Sequence, residues 1–228
     1  SRPRGPEVAM EPAGTPGPSG ALPPFTTPAL VVDLDVFEAN VAAMEQLLRG
    51  TGKTVRPHVK THRTPELARR QLGGSAVGVT CATVGEAEVM VAAGIDDVFV
   101  ANEIVEPAKI ARLVALAHGA RVGVAADDAA QVELLSRAAS AEGVTIGVLL
   151  DIDIGLRRCG LASAAEAVAL AALVERLPGL RLRGIMGYEG RIRLSVEDRD
   201  AKIATLEGRL TELERVLQQL AASAAERR

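Results

Sequence analysis

Aromatic side chains are nearly absent from this 228-residue chain: it has no tryptophan, one tyrosine and three phenylalanines, 2% in all. That excludes a core built on aromatic anchors. With 48% hydrophobic residues, the interior must be assembled from Val, Leu, Ile and Ala, which layered α/β folds accommodate. Cysteine is as scarce, and Cys81 and Cys159 are too few and too far apart for a disulfide framework or a paired-cysteine zinc site. Reduced, structural thiols are expected. Basic residues are not in excess either, since 26 Lys and Arg against 29 Asp and Glu give a formal charge of -3 and no footprint for nucleic acid. No apolar run reaches the roughly 18 residues of a membrane span, and the N-terminus lacks the apolar stretch of a secretory signal. A cytoplasmic address, with neither membrane nor nucleic acid as partner, is the expectation.

What is present is a tail and then a regular alternation. Residues 1–26 are dense in Pro and Gly and poor in large apolar side chains, so they read as a disordered tail that cannot offset the entropy of ordering. From residue 27 to 228 short β-branched runs, "ALVVDLD", "TVRPHVK", "AVGVTCA", "DVFVAN", "RVGVAA", "TIGVLLDID" and "LRGIMGY", alternate with segments rich in Ala, Leu and Glu. Seven strands and six or seven helices are expected. Helix starts are marked at "TPELARR", with Thr64 as cap and Pro65 in the first turn, and at "EPAKIARLVALAHG", which opens on Pro107 and closes at Gly119. Strand, helix, strand implies parallel pairing with right-handed crossovers. No glycine-rich dinucleotide fingerprint follows an early strand, so a (β/α)8 barrel is favoured over a doubly wound sheet.

In barrels the functional groups gather at the C-terminal ends of the strands. Lys60, Thr80, Thr83, Asn102, Glu103, Asp151, Asp153, Tyr188 and Glu189 all fall there. If "TVRPHVK" is a strand, its side chains alternate, placing Val55, Pro57 and Val59 on one face and Arg56, His58 and Lys60 on the other. A buried face with three potential cations requires an anion. Cations beside a lysine also lower its pKa, which makes Lys60 a candidate amine nucleophile for Schiff-base chemistry. His58 and His62 lack the carboxylate or cysteine spacing of a metal site. By itself, "DIDIGLRRCGL" reads as a strand end with solvated charges.

"TPALVVDLDVFEAN", "RPHVKTHRTPELARRQL", "GVTCATVGEAEVMVAAGIDDVFVANEIV", "DIDIGLRRCG" and "GIMGYEG", in that order, resemble the N-terminal barrel domain of pyridoxal-phosphate enzymes of the alanine racemase fold. Within that fold they are most similar to the D-threonine aldolase and D-serine dehydratase group. The resemblance spans about residues 27 to 200, and "PHVKTH" is its most specific block.

The resemblance implies an anion and a set of roles. Lys60 matches the lysine that holds pyridoxal phosphate covalently, Arg158 the arginine near the cofactor's phenolic oxygen, and Tyr188 a tyrosine lining the cofactor pocket. His58 falls beside the lysine as a further cofactor-binding residue. The implied activity is that of a lyase on D-β-hydroxy amino acids, by retro-aldol cleavage or by dehydration. A racemase of the same fold and a non-catalytic truncated piece are the alternatives. Glu189 stands where many aldolases of the group have histidine, and Arg63 where the group often has lysine. The partner is a small amino-acid substrate, and a homodimer is expected of the full-length protein.

In this fold "ALVVDLD" belongs to a companion β-domain, which makes "TVRPHVK" barrel strand one. The fold class is thus an α/β, TIM-type barrel left incomplete, with six barrel strands plus one N-terminal strand where the fold has eight. The C-terminal β-domain is expected to be absent, and with it any ligands for a divalent metal. Such a barrel would keep open edges and lack the loops that grip the phosphate. A long amphipathic helix, with Ile203, Leu206, Leu210, Leu213 and Leu217 on its apolar side, is expected after Gly190.

Overall fold

The computed structural model describes residues 25–188, Gly190 and scattered positions between 204 and 225. Its chain divides into two units, 1–40 and 41–228. In the first, the "ALVVDLD" strand is not found. Residues 29–33 carry no strand, and α1 (Leu34–Leu48) starts inside the run. The cause is local: the Asp33 carboxylate accepts the Val36 N–H at 3.1 Å and so caps a helix start.

The second unit alternates strand and helix through α2 (Pro65–Gln71), β1 (Val79–Cys81), α3 (Val84–Ala92), β2 (Asp97–Glu103), α4 (Pro107–Leu116), β3 (Arg121–Ala126), α5 (Ala129–Ala141), β4 (Ile146–Ile152), α6 (Ala164–Arg176) and β5 (Leu180–Gly187). The five strands form one parallel sheet in sequential order. Six barrel strands were expected, and the first, "TVRPHVK", is reduced to two isolated parallel bridges, Val55 with Ala76 and His58 with Thr80. Pro57 lies between them and has no N–H to donate to a ladder. The chain then turns into a short 3-10 segment (Val59–Thr61).

Helices cover one face of the sheet. Val79, Val98, Val100, Val122 and Val124 pack against Val84, Ala87 and Met90 of α3 and Ile110, Leu113 and Val114 of α4. Val148, Leu150 and Ile152 pack against Val132 of α5 and Ala164, Ala167, Leu170, Ala171 and Val174 of α6. On β3 and β4 two glycines lie side by side, Gly123 opposite Gly147, and a Cβ on Gly147 would collide with the Arg183 side chain. The absent side chain leaves room for Arg183 to lie across the strand.

Three helix starts share one device. Thr83 and Ser163 each accept the N–H of a glutamate three residues on, Glu86 and Glu166, whose carboxylates reach back to the N–H of Ala82 at 2.7 Å and Ala162 at 2.8 Å. Asp128 accepts the N–H groups of Ala130 and Gln131, and Gln131 reaches back to Asp127. Each cap is worth about 1 kcal/mol and fixes where the strand-to-helix loop ends.

The described positions between 204 and 225 are helical, and Val216 among them is fully buried in the second apolar cluster. Ile203, Leu206, Leu210, Leu213 and Leu217 lie outside the described residues, as do residues 1–24 and Glu189. Among the described residues no helix is long and apolar enough to cross a membrane.

Candidate functional site

Because all five strands run in parallel, their C-terminal ends form one rim. Lys60 reaches it from beside β1. Val59, fully buried, anchors its 3-10 turn, and His58 Nδ1 caps the turn by accepting the Lys60 N–H at 3.3 Å. Lys60 itself is exposed, and its Nζ lies 5.8 Å from the centroid of the Tyr188 ring. Tyr188 directly follows β5, and the Arg158 guanidinium carbon is 5.2 Å from the same centroid. Among the described residues neither cation makes an ion pair with a carboxylate. His58 is held below its ordinary pKa by partial burial and then by Lys60, so at neutral pH it is an uncharged cap.

Arg158 rides on a tightly built loop after β4. The Asp153 carboxylate accepts the N–H of Gly155 at 2.8 Å and of Arg157 at 3.0 Å, which holds Arg157 at φ +55°. Asp153 N–H donates to Leu161 O, and Leu161 N–H to Asp151 O. Gly160 N–H donates to Asp127 Oδ2 at 2.8 Å.

Acids lie at the floor of the rim. Asp151, only 5% exposed, is pushed up to about 7 by burial first and then by Glu103, with which it shares a hydrogen bond, and by Asp127; Arg158 opposes the rise. Cys159 lies beside Glu103 and Arg158, and its thiol is raised by burial and then by Glu103, with Arg158 opposing. Asp151, Arg158, Cys159 and Tyr188 line one small pocket.

Lys60, Arg158 and Tyr188, singled out in the sequence, are thus brought together, with His58 beneath Lys60. The three-cation face is not formed. Arg56 turns to the N-terminal end of β2, where its Nη1 pairs with Asp97 Oδ1 at 2.7 Å, and Arg121 pairs with the other Asp97 oxygen at 3.2 Å. The bridges at Val55 and His58 are too sparse to impose strict alternation. His62 is committed to structure, accepting the Thr64 N–H at Nδ1 and bonding Gln71 Oε1 through Nε2, both at 3.0 Å. Arg63 leans on Glu86 at 3.2 Å. Thr83 and Asp153 spend their oxygens on local N–H groups, and Asn102 donates to Ala82 O.

Asp127 and Cys159 escaped the sequence reading as site residues. Asp127 carries the same signal as the other rim residues, a polar side chain directly after a β-branched run. Among the described residues no group of three or more His, Cys, Asp and Glu is arranged to hold a metal ion. The rim offers instead an exposed primary amine, able to condense with a carbonyl, and a guanidinium able to bind an anionic oxygen.

A D-threonine aldolase of Arthrobacter sp is 43% identical over 131 residues, 58% of this chain and 34% of that protein. A 3-hydroxy-D-aspartate aldolase of Paracoccus denitrificans is 45% identical over 116 residues, 50% of this chain and 30% of the relative. The chain thus spans about a third of the length of these curated relatives. Among solved structures, D-threonine aldolase from Filomicrobium marinum superposes with a TM-score of 0.79 at 41% identity, covering 86% of this chain and 53% of that one. D-threo-3-hydroxyaspartate dehydratase from Delftia sp. HT23 gives 0.75 at 26% identity, with the same coverage of 86% and 53%. Residues 32–228 match the family described as Alanine racemase, N-terminal domain. The five-stranded parallel sheet is therefore an incomplete TIM-type barrel, and the chain belongs to the alanine racemase N-terminal domain family.

Proposed function

We propose that residues 27–228 form the cofactor-binding portion of a pyridoxal-phosphate lyase acting on D-β-hydroxy amino acids. One observation supports this most: Lys60 and Arg158 converge on the single ring of Tyr188 at the C-terminal rim. An accessible amine, a guanidinium and an aromatic face fit a planar anionic aldehyde. The names of the relatives, aldolases and a dehydratase for D-threonine or D-3-hydroxyaspartate, supply the substrate class.

When bound, pyridoxal phosphate supplies an electron sink for bonds broken next to the amino acid's nitrogen. Lys60 would hold its aldehyde carbon, Arg158 would donate to an anionic oxygen, and Tyr188 would present its ring. His58 keeps the turn under Lys60 in place by accepting its N–H. Burial and the neighbouring Glu103 raise the Asp151 pKa to about 7, so near neutral pH Asp151 is only partly ionised and places less negative charge toward Arg158 than an ordinary carboxylate would. The guanidinium is thereby left available to an outside anion.

The test is to incubate the full-length protein with pyridoxal phosphate and supply D- and L-threonine and both enantiomers of 3-hydroxyaspartate. The expected result is D-selective release of glycine with an aldehyde, or of ammonia with a keto acid. Interconversion of enantiomers without either product would replace the lyase reading with a racemase one.

A further inference from the structure

The loop that carries Arg158 is tied to the rest of the barrel by a chain of hydrogen bonds that begins on a buried glutamine. Gln131, 1% exposed in α5, donates from Nε2 to Ala125 O at 2.8 Å, which fixes its amide against β3. Its Oε1 accepts the Asp127 N–H at 3.3 Å. Asp127 in turn accepts the Gly160 N–H, 33 residues away, at 2.8 Å. Gly160 packs directly on the end of β4: it sits at φ +103°, and a Cβ there would lie 2.6 Å from Asp153 N and 2.8 Å from Ile152 C, so only glycine fits. Arg158 lies two residues before this pinned glycine, and its guanidinium is 5.2 Å from the Tyr188 centroid.

We propose that Asp127 is the positioning residue for Arg158, holding the 153–161 loop so that the guanidinium stands over Tyr188 where an anionic cofactor oxygen would be met. The clause about the cofactor rests on the reading given under Proposed function; the positioning of Arg158 over Tyr188 does not. Asp127 touches neither the amine nor the ring. Its effect passes through the Gly160 amide, so any side chain that keeps an acceptor at that point should replace it.

Tyr188 is the only tyrosine and there is no tryptophan, so its emission reports on the cations beside it, and Arg158→Ala gives the value with the guanidinium removed. Emission and pyridoxal-phosphate affinity are compared for the 228-residue chain and its Asp127→Ala, Asp127→Asn and Arg158→Ala variants. Without cofactor, Asp127→Ala should shift Tyr188 emission to the Arg158→Ala value, whereas Asp127→Asn should keep that of the parent. With cofactor, Asp127→Ala should bind about tenfold more weakly, as expected for one lost positioning contact, and Asp127→Asn should restore binding. Parent-like emission in Asp127→Ala would overturn the proposal, as would failure of Asp127→Asn to restore it. If the parent binds no pyridoxal phosphate, the cofactor reading falls while the emission comparison still decides the role of Asp127. Should Asp127→Ala not fold, hydrogen exchange in the parent decides: a protected Gly160 amide supports the tie, and an amide exchanging at the rate of an unprotected peptide refutes it.

Discussion

Lys60 and Tyr188 belong to opposite edges of the sheet, yet the lysine Nζ is 5.8 Å from the ring centroid. Lys60 follows the bridge onto β1, and Tyr188 follows β5. The five-stranded sheet must therefore curl until its two edges share one rim, as strands on the way to a closed barrel do.

Lys60 is expected to be the covalent attachment point. Incubation with pyridoxal phosphate, borohydride reduction and peptide mass mapping should place the adduct on the Lys60 peptide and nowhere in Lys60→Ala. An adduct that moves intact to another lysine would count against it.

Tyr188 should report cofactor binding by loss of emission as the ring is covered. Tyr188→Phe keeps the apolar ring but removes the hydroxyl, so turnover should fall more than the thermal midpoint does. A variant that loses stability alone would mark the tyrosine as packing.

Arg56 should matter for folding and not for the site. Arg56→Met leaves Asp97, 5% exposed, with the exposed Arg121 as its one ion-pair partner among the described residues, which should cost about 3 kcal/mol in a urea titration. Cofactor affinity should stay within about twofold of the parent, since the pair lies at the other end of the sheet. A large loss of affinity with unchanged stability would restore the three-cation face.

Asp151 gives a pH dependence of definite sign. Its native pKa is raised from 3.8 to about 7, so the folded state binds this proton more tightly than the unfolded chain does. The stability this contributes is fully present below about pH 4 and is lost as pH rises through about 7. Asp151→Asn cannot ionise, so its stability relative to the parent should improve steadily from pH 4 to pH 8. A difference that does not change with pH would contradict the raised value.

Alternation of β-branched runs with Ala-, Leu- and Glu-rich segments was enough to place β1 to β5 and their helices, because a parallel strand under a helix must be apolar and a surface helix must be amphipathic. The two runs that misled did so for local reasons. In "ALVVDLD" the apolar letters suggest a strand, but Asp33 captures the Val36 N–H and starts a helix. In "TVRPHVK" the missing proline donor breaks the ladder after a single bridge on each side. The sequence therefore determined the order of elements, the place of Tyr188 at a strand end, and, through the resemblance, the family and the choice of Lys60 and Arg158. It could not determine which side chains meet. Arg56 lies four residues from Lys60 yet faces Asp97 at the far end of the sheet, while Tyr188 and Arg158 come to Lys60 only because the sheet curls. Asp127 shows in sequence only its place directly after a β-branched run, which does not say what it contacts. Its role appears only when the loop after β4 folds back and brings Gly160 within 2.8 Å, a contact decided by packing across 33 residues and not by any local preference.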